Sequence, residues 1–398
     1  MLKGKKVVLA VTGSIAAYKS ALIVRQLIKA GAEVKVVMTA SSHDFITPLT
    51  LSTLSKNPVF SEFTSSKESG SWNNHVDLGL WADIMLVAPA TANSLSKMAS
   101  GESDNFMMAV YLSAKCPVYI APAMDLDMYK HPSTKENIEK LVSFGNVIIY
   151  PGSGELASGL EGEGRLAEPE DIIEFIERDI KSKQPLFGKK ILITAGPTHE
   201  ALDPVRYIGN RSTGKMGFTL AQIASEMGAE VTLVAGPISL NTPNSSVNRI
   251  DVISAKDMFE AVTNEFSNQD VVIMAAAIAD YTPLNYSDSK IKKKEGDLSI
   301  SLKRTTDILA HLGENKTNQT LVGFALETNN ELENAKGKME RKKLDFIILN
   351  SLNDKGAGFA GDTNKISIID ANNKVTQFEL KSKFEVAADI LNYLSQNH

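Results

Sequence analysis

The sequence has 398 residues, 43% hydrophobic and 22% charged, with a formal net charge of −5 at pH 7. That length predicts two domains of similar size rather than one core, and the acidic balance gives no general attraction to nucleic acid or an anionic membrane. One cysteine, Cys116, excludes a disulfide framework and a cysteine-rich metal site, while the lack of a signal-length or roughly 20-residue apolar run makes the cytosol the expected compartment.

Short apolar runs alternate with helix-period segments, the pattern of doubly wound α/β domains. In the first half, strands are expected at Val7–Thr12, Val34–Thr39, Ile84–Pro89, Val118–Pro122 and Val147–Tyr150. Helices are expected at Ala16–Lys29, Thr91–Ala99, Asn105–Ser113 and Ser133–Phe144, with a last one from Pro169 to about Lys181. Ser182–Phe187 is polar, contains Pro185 and reads as a linker, so the boundary is placed at Phe187.

The pattern then restarts. Gly4-Lys5-Lys6 is echoed by Gly188-Lys189-Lys190, and Gly31-Ala32-Glu33-Val34 by Gly228-Ala229-Glu230-Val231. Each half therefore opens with its own βαβ unit, the second carrying an insertion after its first strand, Ile191–Ala195. Later strands are expected at Val271–Ala276, Leu321–Ala325 and Phe346–Asn350. Lys365–Asp370 and Lys374–Leu380 predict a β-hairpin with an Asn-rich turn, followed by a helix reaching Ser395.

Three glycine patterns do not carry the chemistry they suggest. Gly356–Gly361 fits a dinucleotide fingerprint, but a strand rather than a helix is expected after it. Gly209–Met216 falls one residue short of a phosphate loop and places Met216 where a hard cation needs an oxygen. Gly152–Gly164 is so glycine-dense that it reads as a mobile flap.

The first expected strand runs into Gly13-Ser14-Ile15, a turn that can cradle a phosphate at a helix start. Thr39 and Phe45 follow the second strand, Ala88-Pro89-Ala90-Thr91-Ala92-Asn93 ends the third, and Ala121–Met124 ends the fourth. His75 lies in H-x-x-L-x-x-W-A-D. Taken in order, G-S-I-A-A-Y-K, that histidine motif, A-P-A-T-A-N, Asp104-Asn105, P-A-M-x-x-x-M at Pro122–Met128 and G-x-G-R at Gly162–Arg165 resemble the flavoprotein family of cysteine decarboxylases. The resemblance implies a flavodoxin-like domain binding FMN through Gly13, Ser14, Ile15, Thr39, Phe45, Ala88, Pro89, Thr91 and Asn93. It implies His75 as base, and Met124, Asp125 and Arg165 around the substrate, phosphopantothenoylcysteine. An unactivated carboxylate needs an electron sink before it loses CO2, and in this family oxidation of the thiol-bearing carbon by the flavin creates one. Two positions depart from the family: Asp125 replaces its substrate-binding Asn, and Ser158 replaces its proton-donating flap Cys.

In the second half, T-A-G-P-T at Thr194–Thr198, D-P-V-R-Y-I-x-N-x-S-x-G-K-M-G at Asp203–Gly217, A-D-Y at Ala279–Tyr281, K-I-K-K at Lys290–Lys293 and G-F-x-x-E-T at Gly323–Thr328 look like the phosphopantothenate–cysteine ligase family. The resemblance implies CTP held by Asp280, Lys290, Thr306, Asp307, Ile308, Leu309, Phe324, Lys338 and Lys342. Arg206 and Asn210 would serve an acyl-cytidylate made from 4'-phosphopantothenate before L-cysteine displaces CMP. A divalent cation such as Mg2+ would accompany the triphosphate, with no metal ligands assigned. The order of the halves is similar to a bifunctional bacterial type that assembles as homo-oligomers, with decarboxylase trimers and ligase dimers. The alternatives are a ligase with a degenerate flavin-binding first half, and a non-enzymatic flavin-binding subunit; the retained His75 argues against both. CTP against ATP stays open at this level.

Overall fold

The computed structural model describes residues 1–66, 70–156, 158–292, 298–327, 329–351 and 361–397. Gly356–Ala360 of the last glycine pattern, Lys293, Lys294, Ala157 and Thr328 lie outside the described residues. The chain forms two compact units, Met1–Ile180 and Lys181–His398. Among the described residues, no helix is long and apolar enough to cross a membrane.

In the first unit, β1 (Lys6–Val11), β2 (Glu33–Met38), β3 (Val59–Phe60), β4 (Ile84–Ala90), β5 (Val118–Pro122) and β6 (Val147–Ile148) form a parallel sheet in the order β3-β2-β1-β4-β5-β6. Sheet growth reverses between β1 and β4, the switch point at which open α/β sheets bind ligands. Val7–Val11 and Ile84–Ala90 are buried throughout because helices cover both faces, so these strands read as unbroken apolar runs. Leu9 packs with Ile23, Leu27 and Ile172 on one face, and Val8 and Ala10 with Leu95 and Phe106 on the other.

The structure adds local detail to the sequence expectation at three places. The helix expected from Ala16 is a 3-10 turn, Ile15–Lys19, followed by an α-helix, Ser20–Lys29. Ala17 N donates to Ser14 O at 2.8 Å and Ser20 Oγ to Ala17 O at 2.6 Å, which satisfies the tighter turn. The edge strand β3 was not expected; two residues are too short to show alternation. The glycine-dense segment is an antiparallel hairpin, β7 (Gly152–Glu155) and β8 (Glu161–Arg165).

The second unit repeats the plan. β9 (Lys190–Ala195), β10 (Glu230–Ala235), β11 (Val247–Asp251), β12 (Val271–Met274), β13 (Thr320–Glu327), β14 (Phe346–Ser351), β15 (Ile366–Asp370) and β16 (Val375–Gln377) lie in the order β11-β10-β9-β12-β13-β14-β15-β16. Strands are parallel through β14, and β15 and β16 close the sheet as the expected antiparallel hairpin. Its turn is built by Asp370, whose carboxylate accepts from Asn372 N and Lys374 N at 2.9 Å, and by Asn373 at φ 62°. The insertion after β9 is a small hairpin, His199–Ala201 with Tyr207–Gly209. Within the segment read as a linker, Leu186 is buried in this unit's core and its N–H bonds Met227 O at 2.9 Å.

Thr12, buried at the end of β1, donates its hydroxyl to Pro89 O at 2.7 Å and accepts from Thr91 N at 3.1 Å. Thr12→Val keeps the shape but leaves both backbone groups unpaired, so the first unit should lose about 1–3 kcal/mol. The chain's 2 tryptophans, Trp72 and Trp81, both belong to this unit. Their emission in a urea titration should report a lower midpoint at an unchanged slope.

Candidate functional site

The first candidate site is assembled at the carboxyl ends of β1, β2, β4 and β5. Ser14 is extended (φ −145°, ψ 151°) and its hydroxyl accepts from Ala16 N at 3.3 Å, capping the 3-10 turn. A Cβ on Gly13 would lie 2.7 Å from Ser41 Cβ and 2.9 Å from Ser41 C, so the close approach of the β2 exit requires glycine there. That exit is held by Thr39, whose N–H bonds Val11 O at 3.0 Å and whose Oγ1 is 3.3 Å from Ser41 Oγ. Phe45 follows, exposed. Thr91 caps the helix Ala92–Ser100 through Ser94 N, with Asn93 exposed in its first turn. Ala88 and Pro89 are buried, so their contribution is the backbone position that Thr12 fixes.

A cavity of about 570 Å³ joins Ser14, Ile15, Lys19, Met124, Asp125 and Arg165. It unites the turn after β1, the segment after β5 and the hairpin β7–β8. Met124 N donates to Gly164 O at 3.0 Å, which seats the hairpin against that segment. Lys19, which the sequence reading did not single out as a site residue, is buried here. Its ammonium donates to Leu166 O at 3.1 Å and Glu168 Oε1 at 2.9 Å, and Arg165 Nη2 reaches the same carboxylate at 3.1 Å. The Lys19 hydrogen bond holds the Glu168 carboxyl below its usual range. A hydroxyl-capped turn beside the exposed apolar faces of Ile15 and Tyr18 fits a ligand with a phosphate at one end and a flat apolar ring at the other.

Of the expected site residues, Gly13, Thr39, Phe45, Ala88, Pro89, Thr91 and Asn93, together with His75 and Ser158, are not among those lining that cavity. His75 opens the helix His75–Trp81 beneath the Asn74 cap, its ring edge-on to Phe63 and Trp72. Its Nδ1 is buried without a hydrogen-bond partner among the described residues. Ser158 is exposed at the hairpin tip, where its Oγ accepts from Leu160 N at 3.5 Å.

The second unit has the same arrangement at its own switch point. Thr194, buried at the end of β9, accepts from Ala276 N at 3.1 Å, and Thr198 accepts from Ala279 N at 3.0 Å. A cavity of about 430 Å³ gathers Asp280, Thr306, Asp307, Ile308, Leu309, Phe324, Lys338 and Lys342. The neighbouring one, about 610 Å³, shares Asp280, Phe324 and Lys338 and adds Asn210, Gly214, Lys215, Asn350, Asn364 and Lys383. Asn210 Nδ2 donates to Ile278 O at 2.9 Å and Ala277 O at 3.3 Å.

The cations here are engaged by exchangeable partners. Lys338 donates to Phe324 O at 2.8 Å, Lys342 lies 2.8 Å from Asp307 Oδ2, and Lys215 lies 2.7 Å from Asp362. Withdrawal from water raises the Asp307 carboxyl, but the Lys342 ammonium and the Ala310 amide bring it below the usual range. Burial, and then the Lys215 charge, push the Lys383 ammonium down. Lys215 was visible in the phosphate-loop-like run, where it opens the helix Lys215–Glu226 behind Gly214. Lys383 carries no motif and was missed. Among the described residues, no group of three His, Cys, Asp or Glu could hold a metal ion.

Lys290 and Arg206 are not among the residues lining these cavities. Lys290 is exposed on the segment leading to residue 293. Arg206 is bound to buried Asp203 through Nε at 3.0 Å and Nη2 at 2.6 Å, and to Ile291 O. Burial alone would raise the Asp203 carboxyl, but the Val205 and Ile291 amides and the Arg206 guanidinium hold it well below the usual range. Its stabilising effect is therefore complete above the ordinary Asp value of about 3.9 and is lost as pH falls through the lowered folded value. Asp203→Asn should be less stable at neutral pH, yet its stability should fall less between about pH 4 and pH 2, as circular dichroism of acid unfolding would show.

Residues 1–181 match the family described as Flavoprotein, and residues 186–397 the family described as DNA/pantothenate metabolism flavoprotein C-terminal domain. The chain is 44% identical over 393 residues to the Coenzyme A biosynthesis bifunctional protein CoaBC of Bacillus subtilis (strain 168), covering 98% of this chain and 97% of that one. It is 56% identical over 351 residues to a Cysteine/Cysteine sulfinic acid decarboxylase of an unknown prokaryotic organism, covering 87% of this chain and 98% of the relative. Among solved structures, the C-terminal domain of a CoaBC protein aligns at 42% identity and a TM-score of 0.47, covering 54% of this chain and 97% of that chain.

Proposed function

Because the chain belongs to the family of bifunctional coenzyme A biosynthesis proteins, flavoproteins that join a decarboxylase to a ligase, we propose a role for each half. The half from Gly188 ligates L-cysteine to 4'-phosphopantothenate with CTP, and the half up to Phe187 decarboxylates the resulting phosphopantothenoylcysteine with FMN. The observation that carries this reading is the convergence of Asp280, Thr306–Leu309, Phe324, Lys338 and Lys342 on one cavity that adjoins Asn210.

In the ligase half, Lys338, Lys342 and Arg304 offer positive charge to a triphosphate whose own divalent cation, such as Mg2+, arrives with it. The phosphopantothenate carboxylate attacks the α-phosphate and pyrophosphate leaves; the cysteine amine then displaces CMP. Asn210 can turn the N–H of its longer bond, to Ala277 O, toward the acyl oxygen as charge develops there. Lys290 closes on the nucleotide from its exposed loop, and Arg206 holds that loop through Ile291.

In the decarboxylase half, FMN supplies reversible two-electron oxidation of the thiol-bearing carbon. The Gly13 turn with Ser14 and Ile15 would hold its phosphate, Thr39, Phe45, Thr91 and Asn93 would contribute to the rest of its site, and Ala88 and Pro89 would set the backbone. Met124, Asp125 and Arg165 line the substrate cavity. His75 serves as base from a neighbouring copy in a cytosolic homo-oligomer; exposed Trp72, Val76 and Leu80 beside it support such a contact. Ser158 at the hairpin tip relays a proton in the reductive step. A second reading of this half, decarboxylation of unacylated cysteine, is favoured by the relative named Cysteine/Cysteine sulfinic acid decarboxylase.

The test is product analysis with phosphopantothenate, cysteine, Mg2+ and either CTP or ATP. Asn210→Asp and Lys290→Gln should abolish ligation while CO2 release from supplied phosphopantothenoylcysteine continues; normal ligation by a folded variant refutes the assignment. Both His75→Asn and Ser158→Ala should retain FMN, the first releasing no CO2. The second should release CO2 but accumulate a product two hydrogens lighter than phosphopantetheine by mass, and a normal product would clear Ser158 of any role.

A further inference from the structure

The charge at the substrate end of the first cavity is not balanced. The positive groups lining it, Lys19 and Arg165, are both paired with Glu168. Asp125 and Glu155 line the same cavity. Asp125 is the N-cap of the helix Leu126–Lys130, yet its side chain makes no capping bond, and it has no side-chain hydrogen bond among the described residues. Asp125 and Arg165 each follow one partner of the Met124 N–Gly164 O bond, so they flank the cavity from facing segments.

A carboxylate in this place discriminates among cysteine derivatives by charge. When the cysteine nitrogen is acylated, the only charge beside the reacting carbon is the substrate's own carboxylate. At about 4 Å and an effective dielectric near 20, repulsion from Asp125 weakens binding of that carboxylate on the order of a thousandfold. In free L-cysteine an ammonium sits on the same carbon as the carboxylate. It can pair with Asp125 while the carboxylate turns to Arg165, whose side chain is 47% exposed.

We infer that Asp125 is a specificity-determining residue that opens the first half to L-cysteine with a free α-amino group. The inference rests on the decarboxylase reading of that half. In the net reaction the bond between the α-carbon and the carboxyl carbon breaks, CO2 leaves and a proton takes its place, giving cysteamine. The two electrons removed from the thiol-bearing carbon are returned to it, so no outside oxidant or reductant is consumed.

The experiment uses the full chain with bound FMN and measures CO2 from L-cysteine, N-acetyl-L-cysteine and phosphopantothenoylcysteine. Wild type should favour L-cysteine over N-acetyl-L-cysteine by at least about tenfold in kcat/KM. Asp125→Asn, with flavin absorbance as the check on folding, should reverse that order and raise kcat/KM for phosphopantothenoylcysteine, which is acylated in the same way. Equal wild-type kcat/KM for the two amino acids overturns the inference without any variant. So does a folded Asp125→Asn that changes both by the same factor. Turnover of phosphopantothenoylcysteine without any from L-cysteine overturns the inference and leaves the proposed function standing, whereas no CO2 from any substrate overturns both.

Discussion

Both halves depend on one buried hydroxyl at the point where sheet growth reverses. Parallel strands diverge at their carboxyl ends, and a backbone group stranded there loses the partner that the ladder supplied. Thr12 supplies it in the first unit by bonding Pro89 O and Thr91 N, and Thr194 in the second by accepting from Ala276 N. Each threonine sits at the end of its unit's first strand and ties it to the exit of the fourth. The turns that follow, Gly13-Ser14 and Gly196-Pro197, project from a backbone fixed on both sides, which is what lets short loops hold chemistry in register.

The two-unit plan was legible because the same backbone geometry recurs. The Gly-Lys-Lys and Gly-Ala-Glu-Val echoes mark left-handed turns before paired strands, with φ of 76° at both Gly4 and Gly188, and 86° and 96° at Gly31 and Gly228. What escaped had no pattern to read. The edge strand β3 is two residues long, and β11 is only partly buried, so neither shows a clean apolar period. In the second site, residues close to one another in sequence on strand ends and helix starts were found, whereas Lys383 comes from the last helix and meets the others only through the fold. His75 was legible as a residue of interest, but its position away from the Ser14 cavity follows from packing against Phe63 and Trp72, which no spacing encodes.

For an acidic chain to bind a polyanion, its cations must be placed locally and kept from being stranded. Lys342 on Asp307, Lys215 on Asp362 and Lys338 on a carbonyl are held in orientations that a phosphate oxygen can take over. Arg206 differs. With Asp203 buried and fully hydrogen-bonded, its pairing is structural, and its reach to Ile291 O stiffens the base of the loop that carries Lys290.

Leu186 has a practical consequence for dividing the polypeptide. Its side chain is packed among Ile191, Ala229 and Val231, and its amide is bonded to Met227 O. A recombinant fragment starting at Gly188 would therefore open a hydrophobic hole and free a carbonyl at the base of the helix Lys215–Glu226. One that starts at Lys181 retains Leu186 and the Gln184 side-chain bond to Glu226 O, so the choice of first codon decides whether the isolated half is a faithful surrogate for the whole.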